Sequence, residues 1–277
     1  MKFGIIVFPT ADSIRPAPLA RLLEERGFES LYYPDHTHIP ARTPEYFDVV
    51  GLPAEFKNGM DCFVALAAAA QATTRLNLGT AVTLVTEREP IALAKTVASL
   101  DVLSEGRMFF GIGPGWIHQE LRHHGVRPAD RWEVMRERTE AMREIWTKDS
   151  ATYHGKFVHF DEVTSWPKPL RRTGPPILVA GNGPRVAERV IAYGDEWIPM
   201  LQAGVLESIA RFKRTARKPG SDEPIPVTLF GAVVEDVDAY QRAGVGRCLF
   251  WPRPMDEAAT VAYLDALCRA LGPRLRD

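Results

Sequence analysis

Eight short runs rich in β-branched and aromatic residues alternate with longer stretches of helical period, and this alternation constrains the chain more than any other feature. The strand-like runs fall at residues 3–8, 30–33, 76–79, 108–112, 177–180, 196–199, 227–231 and 247–251. Helix-period stretches occupy 17–26, 62–72, 91–103, 131–147, 184–192, 205–216 and 258–270. A strand that returns to lie parallel to its neighbour needs a crossover, usually a helix. Eight such units in 277 residues predict one closed (β/α)8 TIM barrel spanning 1–277. An open Rossmann-like sheet is the alternative.

Local signals mark several boundaries. Pro90 and Pro184 suit a first helical position, where the missing N–H costs nothing. Gly27, Gly106 and Gly194 follow helical stretches where a left-handed residue is wanted. Trp132, Met135, Met142 and Trp146 share one face of their predicted helix. Two segments break the alternation. Residues 36–59 form a long insertion after the second strand, and loops of that length are usually functional. Residues 151–160 read as a short hairpin before the fifth strand, expected to cap the barrel edge.

Composition narrows the function. The chain is 45% hydrophobic and 25% charged with a net charge of −1, so it has a large core and no field to attract nucleic acid or an anionic membrane. Cys62, Cys248 and Cys268 form no CxxC pair and are expected to be buried, reduced thiols. No basic, apolar, small-residue leader precedes the first strand, and the longest apolar stretch, 63–70, is too short to span a bilayer. A cytoplasmic, soluble enzyme is expected.

In β/α barrels the chemistry sits at the carboxyl ends of the strands. There lie Asp35 and His36 after the second run, Thr80, Ala81 and Val82 after the third, Gly113, Gly115 and Trp116 after the fourth, and Gly181, Asn182 and Gly183 after the fifth. The last of these opens onto a helix, where free N–H groups and the dipole favour a phosphate, with Arg185 adding a charge. His36 titrates near neutral pH and is the acid–base candidate. The pair His36 and His38 also suits a metal-dependent amidohydrolase, but no carboxylate follows the eighth run. No metal is therefore expected. His118, His123 and His124 are expected on a solvated helix face or turn.

The ordered motifs Tyr33-Pro34-Asp35-His36, Leu76-Asn77-Leu78-Gly79-Thr80-Ala81-Val82, Leu100-Asp101-Val102-Leu103-Ser104-Glu105-Gly106-Arg107, Gly111-Ile112-Gly113-Pro114-Gly115-Trp116 and Gly181-Asn182-Gly183 resemble the bacterial luciferase-like superfamily. Within it the chain looks closest to the oxidoreductases that use the deazaflavin coenzyme F420. The resemblance runs to about residue 200. It implies a hydride transferred between F420 and a small organic substrate, with Asp35 and His36 flanking the ring and Asp35 orienting His36 or binding the ring edge. Thr80, Ala81 and Val82 would form a bulge against the ring, with a non-prolyl cis peptide at Ala81-Val82. Gly113, Gly115 and Trp116 would line the cofactor channel, and Gly181, Asn182 and Gly183 would hold its phosphate. Arg185 and Arg189 are candidates for the acidic tail of F420. Reduced FMN with dioxygen, giving a monooxygenase, is the alternative, and a non-catalytic cofactor-binding protein a second. Tyr46, Phe47, Leu52 and Phe56 suggest an apolar or aromatic substrate, and relatives of this kind are often homodimers. Two departures stand out. Pro114 has no N–H to offer a ligand, and Glu196 occupies a position where the family commonly has Gly.

Overall fold

The computed structural model describes residues 1–41 and 52–275. Eight parallel strands form one sheet: β1 (Lys2–Ile6), β2 (Ser30–Tyr33), β3 (Asn77–Leu84), β4 (Met108–Gly113), β7 (Ile177–Ala180), β8 (Glu196–Ile198), β9 (Thr228–Ala232) and β10 (Arg247–Phe250). The hairpin strands β5 (Ala151–His154) and β6 (His159–Val163) form a separate antiparallel pair. The large sheet runs β8-β7-β4-β3-β2-β1-β10-β9. Its two ends meet through single parallel bridges, Trp197 with Val227 and Met200 with Phe230. Three bonds hold this seam: Trp197 N–H to the Pro226 carbonyl (3.1 Å), Phe230 N–H to Pro199 (2.9 Å) and Leu201 N–H to Phe230 (2.8 Å). The barrel predicted from the alternation is the fold observed.

Period-two alternation sorts each strand into an inner and an outer face. Inside the barrel, Ile6, Tyr32, Ala81, Leu178, Ile198 and Leu249 pack together with Val82, Phe109 and Phe230. The Tyr32 ring fits because Gly79 faces it: a Cβ at Gly79 would lie 2.2 Å from the ring. Outward-facing residues such as Leu31, Leu78 and Phe110 pack against the helices instead.

The amino-terminal mouth is closed by charge. Arg247 opens β10 and reaches Glu29 through two bonds (2.8 and 2.9 Å), Glu196 (3.2 Å) and Thr228 (2.8 Å). Thr228 also hydrogen-bonds Glu196. The departure at Glu196 thus has a structural account: it is the first residue of β8 and a buried partner of Arg247.

The helices are α1 (Pro16–Arg26), α2 (Ala54–Asn58), α3 (Cys62–Gln71), α4 (Pro90–Leu103), α5 (His118–His123), α6 (Arg131–Thr147), α7 (Val186–Tyr193), α8 (Val205–Thr215), α9 (Val237–Ala243) and α10 (Glu257–Leu271). Pro90 is at the start of α4, and Gly27 is left-handed, as expected. Two boundary expectations fail. The helix after β7 starts at Val186, so Pro184 belongs to the preceding turn, and Gly194 is extended rather than left-handed. The third strand also runs on to Leu84, so Thr80, Ala81 and Val82 lie within it. Cys62 and Cys248 are buried, but Cys268 is only partly so. The hairpin is docked by the buried Glu137 of α6, whose carboxylate accepts the N–H groups of Lys156, Phe157 and Val158. No helix among the described residues is long and apolar enough to cross a membrane.

Candidate active site

A cavity of about 370 Å³ opens at the carboxyl ends of the strands. Its walls are mainly apolar and aromatic: Ala81, Val82 and Leu84 from β3, Trp116 beyond β4, and Met200, Phe230 and Trp251 from the other side. Phe8 and Phe56 meet at a tilt with ring centroids 4.6 Å apart, Phe56 lies 5.5 Å from the His36 ring, and Trp116 meets His36 edge-on at 6.0 Å. The polar residues on this wall are Asp35 and His36, adjacent in sequence but differently engaged.

Asp35 is buried and takes both of its oxygens to Arg88, at 2.7 and 2.8 Å. Arg88 also reaches Asp61 at 2.8 Å, and Asp61 caps α3 by accepting from Phe63 and Val64. Asp35 therefore fixes the floor of the site through Arg88 and makes no bond to His36. The His36 side chain is 6% exposed, and its Nδ1 sits 2.9 and 3.0 Å from the two oxygens of Glu120. With Nδ1 engaged, Nε2 is the ring nitrogen available to a ligand. Burial lowers the His36 pKa, opposed by the carboxyls of Glu87 and Asp35, so the ring is neutral at physiological pH.

Behind His36 lies a pair of acids. Glu120 is fully buried in α5, Glu87 is buried just after β3, and their carboxyls share a hydrogen bond. Burial pushes both above the usual carboxylate range; the Glu120 charge and the bond to it raise Glu87 further, while that same bond lowers Glu120 against the Asp35 charge, so Glu87 is the donor. Two carboxylates in contact in a poorly solvated place cannot both ionise, so the pair keeps a proton. Sequence inspection missed Glu87, Arg88 and Glu120. The available signal was the position of Glu87-Arg88 just beyond the third strand, and of Glu120 a few residues beyond Trp116.

The other candidates are distributed as follows. Ala81, Val82 and Trp116 join Asp35 and His36 on the cavity wall, and the Ala81-Val82 peptide is cis, as the resemblance implied. Thr80 turns its hydroxyl to the Gly111 carbonyl (2.7 Å), tying β3 to β4 where their register shifts. Gly113 makes room for Val82, since a Cβ there would meet Val82 Cγ2 at 2.6 Å. Gly115 is left-handed. The Gly181-Asn182-Gly183 turn lies outside this wall. Asn182 bonds both ways with the Met200 backbone (2.7 and 3.0 Å), and space beside Gly183 is open. Arg185 is exposed and pairs with Glu188, while Arg189 lies over the Trp132 ring at 3.6 Å. His36 and His38 do not converge: His38 Nε2 is 2.7 Å from His123 Nδ1. His123 is exposed as expected, and it and His124 gather around His38. Phe56 reaches the wall and Leu52 does not, whereas Tyr46 and Phe47 lie outside the described residues.

A closed parallel barrel with an apolar strand-end cavity and an acid-backed histidine on its wall places the chain among the β/α-barrel proteins. The chain belongs to the luciferase-like monooxygenase family, which matches residues 1–259. An uncharacterized protein of Mycobacterium tuberculosis is 40% identical over 202 residues, 72% of each chain. The F420-dependent hydroxymycolic acid dehydrogenase of the same organism is 28% identical over 240 residues, covering 81% of this chain and 60% of that one. Among solved structures, an F420-dependent secondary alcohol dehydrogenase in complex with an F420-acetone adduct shares the fold. It has a TM-score of 0.76 and 19% identity, covering 98% of this chain and 99% of that one.

Proposed function

We propose that this protein transfers a hydride between coenzyme F420 and a small apolar or aromatic organic substrate in the strand-end cavity. The observation that carries the proposal is His36, a neutral imidazole held at Nδ1 by a buried acid and set in an otherwise apolar, aromatic wall. That arrangement suits a flat ring and a substrate that must exchange one proton alongside a hydride. The deazaflavin, when bound, supplies the C5 carbon that takes or gives the hydride. His36 Nε2 takes the proton from the substrate hydroxyl, or returns it, while the cavity walls exclude water. Ala81, Val82 and Trp116 present the apolar surface for the ring, with Gly113 and Gly115 keeping the β4 end thin beside it. Backbone N–H groups of the Gly181-Asn182-Gly183 turn, with Arg185, would take the phosphate.

The choice of F420 over FMN rests on the guanidinium groups beside that turn. Arg189 lies 3.6 Å and Arg131 6.0 Å from the Trp132 ring centroid, and burial with the like charges of Arg185 and Arg131, opposed by Tyr193 and Glu188, lowers the Arg189 pKa. Arg131 and Arg189, with Arg185 paired to Glu188, offer guanidinium groups to the long acidic tail of F420, which FMN lacks. The relative named as an F420-dependent dehydrogenase supports the same reading. The test is a fluorescence titration of the purified protein with F420 and, separately, with FMN. Binding of F420 alone is expected. Preference for FMN would replace the proposal with an oxygen-using monooxygenase, and binding of neither would replace it with a non-catalytic role.

A further inference from the structure

The acid pair behind His36 does not end in the core. The hydroxyl of Thr37 donates to Glu87 Oε2 at 3.3 Å and lies 2.7 Å from His124 Nε2. The same hydroxyl is 3.1 Å from His38 Nδ1, and His38 Nε2 is 2.7 Å from His123 Nδ1. Thr37 and His123 are exposed. Glu87 and His124 also line a second cavity of about 530 Å³, walled on its far side by the hairpin through Phe157 and Phe160. A continuous file of exchangeable groups thus joins His36 in one cavity to histidines bordering another.

We propose that Glu120, Glu87 and Thr37 relay protons between His36 and the His124–His38–His123 cluster. The inference rests on the reading of His36 as the group that exchanges a proton with substrate. In the inward direction, Nε2 of His36 gives its proton to the substrate while Nδ1 takes, through Glu120, the one proton that the acid pair holds on Glu87. Thr37 passes its hydroxyl proton to Glu87 Oε2, which returns the pair to its one proton. The hydroxyl is restored by His124 Nε2–H, and His124 is reprotonated by solvent or by its histidine neighbours. The acids and Thr37 regain their starting protons, His36 carries its proton on Nδ1 in place of Nε2 until the ring tautomer resets, one proton moves across the file, and no electrons move. The reverse order serves a substrate that loses a proton. A buried acid pair that keeps one proton fits such a shuttle, because it can accept or donate without leaving an isolated charge.

The test uses the ligand-free protein labelled with ¹⁵N-histidine, reading by NMR the rate at which the His36 ring N–H exchanges with water. Thr37→Val keeps the side-chain shape and removes the hydroxyl. Exchange at His36 should then slow by about a hundredfold, the lower end of what a positioned acid–base group contributes. Exchange at the exposed His154 should stay unchanged. In His124→Ala, added imidazole should restore the lost rate by entering the second cavity. A merely structural role predicts the opposite sign, since loosened packing speeds exchange. An unchanged or faster His36 rate in Thr37→Val, with His154 unaffected, overturns the relay. The readout needs neither cofactor nor substrate. Slowed exchange in a protein that binds no F420 would leave the relay standing and remove only the dehydrogenase reading, whereas F420 binding with unchanged exchange would do the reverse.

Discussion

Asp35 and His36 are neighbours in sequence, and what separates them is the partner each meets. A guanidinium neutralises Asp35 through two bonds, and such a fork fixes geometry as well as charge. His36 meets Glu120, the member of the acid pair that accepts the hydrogen bond, and burial lowers its basicity against the opposing pull of Glu87 and Asp35. Replacing His36 with alanine is expected to lower turnover by about 10²- to 10⁴-fold and leave F420 affinity nearly unchanged, because the side chain contributes little of the ring surface. Paired kinetic and fluorescence measurements check this, and unchanged turnover would remove His36 from the chemistry. A second expectation concerns pH. Glu87 is raised from 4.5 to about 9 in the folded protein, so the folded form binds the extra proton between those values. That contribution is complete below about 4.5 and is lost as pH rises through about 9. The melting temperature should therefore fall between neutral pH and above about 9, and Glu87→Gln should reduce the fall. Equal alkaline losses in both proteins would count against a proton held by the pair.

At the scale of elements, the barrel strands were legible because each carries its own period and is bounded by turn residues. The long helices were legible for the same reason. The short ones were not: α9 spans seven residues and buries only Val237 and Tyr240, too few to set a period. Glu87 and Glu120 were invisible for a different reason. An acid on a six-residue helix, α5, looks like any surface carboxylate until the loops carrying His36 and Glu87 fold against it. Positions where the backbone itself is the message, such as Ala81 and Val82, could be named through the resemblance, yet their role as cavity wall depends on β4 approaching closely. Gly113→Ala tests that dependence. The added methyl would press on Val82, costing about 1–3 kcal/mol as overpacking does, and should weaken F420 binding by displacing the wall. A denaturant melt and a titration on one sample measure both effects. A variant as stable and as tightly binding as the parent would show that the approach is not needed.

For the molecule as a whole, the two mouths of the barrel have opposite chemistry. The amino-terminal mouth is closed by Arg247 between Glu29 and Glu196, with the Arg247 guanidinium 4.6 Å from the Phe109 ring centroid. Burial opposes the Glu29 charge, but its bonds to Arg247 hold it down at about 2. Removing one member of such a buried set strands the others, so Arg247→Ala is expected to cost about 3–5 kcal/mol of stability, read as a lower denaturant midpoint. It should leave the His36 cavity chemically intact, since the two lie at opposite ends of the strands. A loss under about 1 kcal/mol, the range of an exposed pair, would mean that water reaches this mouth freely.

The ring of strands is least cross-linked where β8 meets β9, and that seam ends at Met200 and Phe230, both on the cavity wall. A ligand in the cavity touches both lips of the join and would act as a clasp on the barrel itself. Binding energy spent there stabilises the closed ring by mass action, so occupancy should be visible far from any reaction, as slower amide exchange at Leu201 and Phe230.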